Sequence, residues 1–550
     1  MHLKYFLIIL LSKLSLVSQI TCSQFSTYFG NNQFDEIKSV CVDSKRNSYV
    51  IGNTYSTNLP ITLGLVNDTA SGDYDVFIAK FDSCGALIWC TYFGGTGFDS
   101  AEKMSLTIDS NIIFCGFTSS INIPITTSVF QSNNLGGYDS YIVKISPNGQ
   151  LIWSTYFGKN GGDMAYDLSI DYNNNIIIGG TTTSTNLYTT PSSFQPNHKG
   201  NMDAFIAKFN SSGVLKWCTY FGGNGSEDIH ALTSDNYGNI IGVGESFSTN
   251  LNTSTGAFQS FKNGASDVYI IKLDSLGNRI FSTYYGGDSS DDAWGVACDN
   301  NQNIYIAGQS KSSDFYTTTN CFQDTNAGYL DCFVSKWDAT GNLLRATLLG
   351  GTGNDFTSRL ELLNQNQLII LAKTESASLP IYPNSFQTIL NGNYDVYLAV
   401  FDTDSLYPNW SSYYGGITDD SGNDINIINS NNVIFTGSSN STDYPVSSNA
   451  FQPNLSANND GIITKLMLPN DYSTSLIELN KKKTFQVYPN PFNNVLFVKN
   501  HQEDSYFTIK NLLGEIIIEG KNPSQISTQQ LVSGVYVFTL NGHSQLITKE

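Results

Sequence analysis

Ser26-Thr-Tyr-Phe-Gly30 returns as Cys90-Thr-Tyr-Phe-Gly94, Ser154-Thr-Tyr-Phe-Gly158, Cys218-Thr-Tyr-Phe-Gly222, Ser282-Thr-Tyr-Tyr-Gly286, Ala346-Thr-Leu-Leu-Gly350 and Ser411-Ser-Tyr-Tyr-Gly415. The glycines step by 64 residues five times and then by 65. Asp75, Asp139, Asp203, Asp267, Asp331, Asp395 and Asp460 keep the same step, each opening a run such as Asp203-Ala-Phe-Ile-Ala-Lys-Phe209. Two series in one register make this an internal repeat, and a repeat settles the fold class before any single segment does.

Each period holds four strand-like runs, in the fifth unit Ala293 to Cys298, Asn303 to Gly308, Asp331 to Trp337 and Asn342 to Leu349. Asp299-Asn-Asn-Gln-Asn303 and Asp338-Ala-Thr-Gly-Asn342 separate two pairs as tight hairpins, and a longer link with Phe322-Gln323 joins the middle runs. Four antiparallel strands, seven times over, predict an all-β, seven-bladed propeller of four-stranded blades across residues 24–468. The array begins with a lone fourth strand, Phe25 to Gly30, and ends after a third, Asp460 to Leu466. Pairing them would close the last blade with the N-terminal strand and remove two open sheet edges.

The units resemble the SBBP family of bacterial β-propeller repeats through Trp153-Ser-Thr-Tyr-Phe-Gly158, Asp299 to Gly308, and the Phe194-Gln195, Gly200, Asp203 pattern. That family is defined by architecture and implies no single activity. Leu348-Leu349, Ala372 and Val400 depart most from the pattern, which predicts a looser sixth blade.

Residues 1–23 carry Lys4, the apolar run Tyr5 to Leu11 and small residues at Thr21 and Ser23, a secretory signal peptide with its cut expected before Gln24. A lipid anchor on Cys22 is the alternative, although Gln19-Ile20-Thr21 departs from the usual lipobox. No other stretch is long and apolar enough for a transmembrane segment. Residues 469–484 read as a polar linker. Residues 485–550 alternate short strands with Pro, Asn and Gly, a small Ig-like β-sandwich. Its Val487-Tyr-Pro-Asn-Pro-Phe492, Gly514 and Ser533-Gly534-Val535-Tyr536 resemble the type A sorting domain of type IX secretion in the Bacteroidota. The resemblance implies that the secretion machinery engages this segment and that the protein crosses the periplasm to be secreted or displayed on the outer surface. Tag removal and attachment to surface lipopolysaccharide often follow.

Without Lys4 and Lys13 of the leader the formal charge of −19 becomes −21, and all of it lies on residues 24–469, because acids and lysines balance beyond residue 469. Nucleic acid is thereby excluded as a partner. Cysteines at 41, 84, 90, 115, 218, 298, 321 and 332 form no CxxC pair, and most read as buried thiols. Cys321 with Cys332 is the pair worth testing as a disulfide.

No HExxH, Gly-x-Ser-x-Gly or phosphate loop occurs, so catalysis by zinc or an activated serine has no visible constellation. His198 reads as a solvated loop residue. Asp35, Asp99, Asp163, Glu227, Asp291, Asp355 and Asp420 stand where each innermost strand begins, and seven carboxylates around one mouth could hold Ca²⁺. The competing reading assigns them to turns, because a feature present in every unit is more simply explained by building the unit. Function should instead appear where units differ. Three residues beyond each acid stand Lys38, Glu102, Tyr166, His230, Trp294, Ser358 and Asn423, with an apolar constant two residues later. This varied set is expected to face a ligand at the channel mouth, with Tyr166 and Trp294 stacking on a flat face such as a sugar ring and His230 as a polar anchor titrating near the ordinary histidine range. The leading reading is an interaction or adhesion module for a surface or extracellular ligand. The alternatives are a polysaccharide-active enzyme using acids such as Asp291 and Asp292, which must flank the scissile bond, and a purely structural surface component.

Overall fold

The computed structural model describes Cys22, residues 24–190 and 193–469, and, within the C-terminal unit, residues 486–488, 491–499, 505–511, 515–521, 524–540 and 543–549. The expected signal peptide, apart from Cys22, and the expected linker, apart from Pro469, lie outside the described residues. The chain divides into two compact units, Met1–Tyr472 and Ser473–Glu550. Every regular element among the described residues is a strand, and no helix is long and apolar enough to cross a membrane.

The larger unit is a series of four-stranded antiparallel sheets. Sheet 1 runs Asp35–Val42, Ser48–Thr54, Asp75–Phe81, Leu87–Phe93, and sheets 2 to 6 repeat this order with first strands Asp99–Leu106, Asp163–Ile170, Glu227–Ser234, Asp291–Cys298 and Asp355–Asn364. Sheet 7 takes Asp420–Asn429, Asn432–Ser439 and Asp460–Met467 from the end of the array and Phe25–Phe29 from its beginning. Phe25 faces Lys465 and Phe29 faces Gly461 in that last ladder. First strands of successive sheets pack on one another, and the first strand of sheet 1 packs on that of sheet 7. In the fifth unit the first strand starts at Asp291, two residues before the expected Ala293, because that carboxylate is itself held inside the sheet.

Burial follows position in the sheet. Third strands such as Asp203–Phe209 are buried along their whole length, so they read as continuous apolar runs with a lysine. First strands alternate buried and half-buried residues over their first half, then bury two in a row and end half-buried. The departures at Leu348, Leu349, Ala372 and Val400 fall in sheets 5 and 6 and are all fully buried, so the expected looseness is not found.

The repeated polar residues build the unit. Gln323 donates from Nε2 to Asp331 Oδ2 at 2.6 Å and accepts from the Gly350 amide at 2.9 Å, tying the long link to the third and fourth strands. Gln131, Gln195, Gln259, Gln387 and Gln452 repeat the bridge to the aspartate. A Cβ at Gly350 would lie 2.1 Å from the Asp331 carboxyl carbon, which is why glycine recurs there. The third-strand lysines do not assist those aspartates. Lys80, Lys208, Lys272 and Lys465 donate to carbonyls of Pro147, Ser275, Ala339 and Ser83 in the next sheet's hairpin, and so join neighbours.

Cys321 and Cys332 are both buried free thiols, which corrects the expected pairing. The disulfide joins Cys22, beside the N-terminal strand of sheet 7, to Cys84 in a hairpin of sheet 1. The cut expected before Gln24 would discard Cys22 and with it this bond.

In the smaller unit, Gln486–Tyr488, Val495–Lys499 and Gln525–Ser527 form one sheet, and Ile516–Lys521, Tyr506–Lys510, Gly534–Leu540 and His543–Lys549 form another. Leu496, Ile509, Phe538 and Ile547 are fully buried in their shared core.

Candidate functional site

Every first strand of the larger unit carries a β-bulge, and the extra residue is in each case the varied one. The ladder skips Lys38, Glu102, Tyr166, His230, Trp294, Ser358 and Asn423 in sheets 1 to 7. A bulge leaves its extra residue outside the pairing and re-aims its side chain. All seven line one cavity of about 460 Å³, together with Asp228, Gln309, Phe356, Thr357 and Arg359.

His230 is held by contacts on its ring face and at both ring nitrogens. Its ring stacks on Trp294 at 4.1 Å between centroids and 18° between planes. Nδ1 lies 3.0 Å from Asp292 Oδ1 and Nε2 lies 3.2 Å from Asp228 Oδ1, while Trp294 Nε1 donates to Asp292 Oδ2 at 2.5 Å. Burial works against the charged imidazole, but Asp292 and Asp228 outweigh it and raise its pKa well above the usual 6.5. Both ring nitrogens are committed and one indole face is covered. His230 therefore holds Trp294 in place rather than anchoring a ligand, which corrects the expected role and moves its titration above the ordinary histidine range. Tyr166 lies beyond the imidazole at 6.3 Å. Lys38 and Glu102 pair at 3.4 Å, and Asn423 donates to the Ile37 carbonyl at 2.9 Å.

Beside the bulges sits a charge network absent from the sequence expectations. Lys103 Nζ is 2.7 Å and Arg359 Nε 3.4 Å from Asp424 Oδ1, and Arg359 Nη2 is 3.2 Å from Asp167 Oδ1. Asp424 also accepts from the Ser39 hydroxyl at 2.5 Å and the Val40 amide at 3.1 Å, and Asp167 accepts from the Leu232 amide at 2.6 Å. These bonds join first strands of sheets 7 to 1 and 3 to 4. Burial alone would raise the Asp424 carboxyl, yet Lys103 and Arg359 hold it below its ordinary range. Burial raises Glu361, near the same charges, to about 7. Arg359 also reaches the Trp294 carbonyl at 3.4 Å and faces the cavity, so one guanidinium links network and pocket.

The acids considered for Ca²⁺ are not brought together. Asp35 accepts from the Thr54 and Ser56 hydroxyls and the Asn31 amide. Asp99, Asp163, Asp355 and Asp420 repeat the arrangement with Ser120, Ser184, Ser376 and Ser441, Asp291 with Ser312, and Glu227 with Ser246. Each also accepts a backbone amide from the crossover before its strand, as Asp291 does from Gly287 at 2.7 Å. Their donors are hydroxyls and amides of their own units, which does not fit a shared cation. Among the described residues no group of three or more His, Cys, Asp or Glu side chains is arranged to hold a metal. Asp291 and Asp292 likewise have separate surroundings, the first fully buried among hydroxyls and the second on His230, because neighbours on a strand face opposite ways. They do not form the pair that hydrolysis would need. His198 is not a solvated loop residue, since its ring packs edge-on to Tyr220 at 5.7 Å and keeps only 8% side-chain exposure.

Buried carboxyls without cations give the fold a pH signature. Burial lifts Asp291, Asp355 and Asp420 to about 6, and Asp75, Asp139 and Asp460 likewise. Folded carboxyls that titrate above their unfolded values make the folded chain bind more protons, so their contribution is complete below the unfolded pKa and is lost as pH rises through about 6. Asp424 and the other depressed carboxyls act in the opposite sense but titrate lower. The melting temperature is therefore expected to rise by several degrees as pH falls from about 8 to about 5.5, measured by differential scanning calorimetry; a flat or falling profile would contradict the raised values.

Residues 24–60 and 280–316 match the SBBP family, a beta-propeller repeat. Residues 486–550 match the secretion system C-terminal sorting domain. An uncharacterised WD repeat-containing protein of Acanthamoeba polyphaga mimivirus is 24% identical over 410 residues, 66% of this chain and 26% of that one. The regulatory protein FlaEY of Caulobacter vibrioides is 25% identical over 175 residues, 31% of this chain and 18% of its own length. The chain thus spans about a quarter or less of these relatives. Among solved structures, a Dyadobacter fermentans protein of unknown function is similar with a TM-score of 0.37 at 11% identity, covering 80% of this chain and 98% of that one. The Pan2 WD40 domain of Neurospora crassa is similar with a TM-score of 0.37 at 9% identity, covering 82% and 97%.

Proposed function

We propose that this β-propeller with a secretion-system sorting tail is a surface-displayed or secreted binding module, closed as a seven-bladed ring, that holds a glycan in the pocket at its axis. The observation that carries the reading is the convergence of all seven bulge residues, the positions at which otherwise alike units differ, on one cavity. An exposed indole and a tyrosine supply faces for the C–H side of a sugar, and Lys38, Glu102, Asp228 and Arg359 supply hydrogen bonds for its hydroxyls. Ring closure is supported by the pairing of Phe25–Phe29 with Asp460–Met467 and by the packing of the first strand of sheet 1 on that of sheet 7. The small unit is read as an Ig-like sandwich that the type IX machinery recognises.

Screening the purified chain on a glycan array for binding and for hydrolysis tests this reading. Retention of a glycan without cleavage is the expected result. Cleavage would make the protein an enzyme, and silence at every spot would leave a structural surface component. Deleting residues 485–550 is expected to leave the propeller folded but retained in the periplasm, read by fractionation and protease accessibility. Surface display of the truncated chain would refute the role of the tail.

A further inference from the structure

The first two sheets concentrate aromatic side chains at positions where the other sheets carry only Phe247 and Tyr394. Preceding the acid of each first strand stand Phe34 and Phe98, against Gly162, Ser226, Ser290, Asn354 and Asp419 in the other units. Tyr55 and Phe117 are further aromatics of sheets 1 and 2, and Tyr74 and Tyr138 precede their third strands. These rings form a continuous path. Phe34 lies 6.3 Å from Tyr55, Tyr55 4.6 Å from Tyr74, Tyr74 4.8 Å from Phe98 in a stacked pair, and Phe98 6.0 Å from Phe117. Phe117 then meets Tyr166 edge-on at 6.2 Å, at the wall of the pocket. Phe34, Tyr55 and Tyr138 are each about 40% exposed, so the path is open to solvent.

A line of polar groups accompanies the rings. Tyr74 Oη donates to Glu36 at 3.2 Å, Asn53 Nδ2 reaches Glu36 at 3.4 Å and Ser100 Oγ at 3.1 Å, and Ser100 Oγ donates to Glu102 at 2.8 Å. Glu102 is the pocket residue paired with Lys38. Exposed ring edges and faces beside the partly exposed carboxylates of Glu36 and Glu102 suit a ligand with apolar faces and hydroxyl edges repeated along its length. The acidic balance of the larger unit disfavours a polyanion in the same place.

We propose that the aromatic path over sheets 1 and 2 is an extended subsite that seats an unbranched neutral oligosaccharide chain running out of the axial pocket. The inference rests on the pocket reading above and adds to it the size of the ligand and the direction in which it leaves. Its test is calorimetric titration of the full secreted chain with cellohexaose, chitohexaose and xylohexaose, each beside its disaccharide. At least one hexasaccharide is expected to bind ten-fold or more tightly than its disaccharide. The Tyr55→Ala/Tyr138→Ala variant is expected to lower the hexasaccharide affinity to that of the disaccharide and to leave the disaccharide unchanged. Equal affinities for the two lengths in the wild type, or an unaffected double variant, would overturn the subsite while leaving the pocket in place. If neither length of any sugar binds, both readings fall. Both substituted tyrosines are partly exposed, the melting temperature of the variant checks that it folds, and the wild-type length comparison needs no variant at all.

Discussion

Deleting residues 24–30 is expected to destabilise the propeller by on the order of 10 kcal/mol, because three large aromatics leave a packed interface and each costs about 3 to 5 kcal/mol. Phe25, Tyr28 and Phe29 are 3%, 1% and 0% exposed. Tyr28 Oη donates to the Ser441 carbonyl at 2.5 Å, and Phe29 packs on Phe77 of sheet 1 at 5.1 Å. The deletion also strips the outer ladder from Asp460–Met467 and exposes a buried strand edge, which promotes association. Thermal melting and light scattering of the purified variant measure both effects, and an unchanged melting temperature would refute the role of this strand as the closing one. The Cys22–Cys84 bond acts at the same seam, since it ties the chain just before that strand to sheet 1.

Asp424→Ala is expected to cost about 3 to 5 kcal/mol, the range for breaking a buried ion pair from one side. Its side chain is fully buried, and its loss leaves Lys103 without its carboxylate and Arg359 with Asp167 alone. The same substitution removes the bonds from Ser39 and Val40 that join sheet 7 to sheet 1. Urea unfolding measures the loss. Replacing Lys103, Arg359 and Asp424 together with apolar residues of similar volume is expected to recover much of it, because the unpaired charges go as well. A single substitution costing under about 1 kcal/mol would mean that the network is solvated like a surface pair.

What recurs was legible in the sequence, and what depends on backbone irregularity was not. The four-strand unit, the crossover acids and the N-terminal strand in the last sheet follow from spacing alone, because a fixed period imposes the same contacts each time. The varied series from Lys38 to Asn423 was legible as well, since only positions free of the unit's own bonds can differ. The residues that follow them, Ser39, Lys103, Asp167, Ala231, Gly295, Arg359 and Asp424, differ just as much. Nothing local marks them as pocket residues, because strict alternation sends the next residue to the opposite face. The bulge breaks that alternation, and so Ser358 and Arg359 both line the cavity. The role of His230 is hidden from the sequence for a related reason. Asp228 and Asp292 belong to adjacent strands of different sheets, and no local pattern reveals that they clamp one ring. Cys22 was hidden by its place beside the leader, and its partner lies 62 residues away.

The most direct test of the axial pocket is the affinity of Trp294→Ala and Tyr166→Ala for the glycan retained on the array, measured beside their melting temperatures. Both variants are expected to lose at least ten-fold in affinity, consistent with roughly 0.5 to 1.5 kcal/mol for each stacked ring plus its buried area, while melting within a few degrees of the wild type. Wild-type binding is expected to weaken as pH rises through the elevated pKa of His230, above the ordinary histidine range. Undiminished affinity in both variants would contradict the account and place the ligand elsewhere.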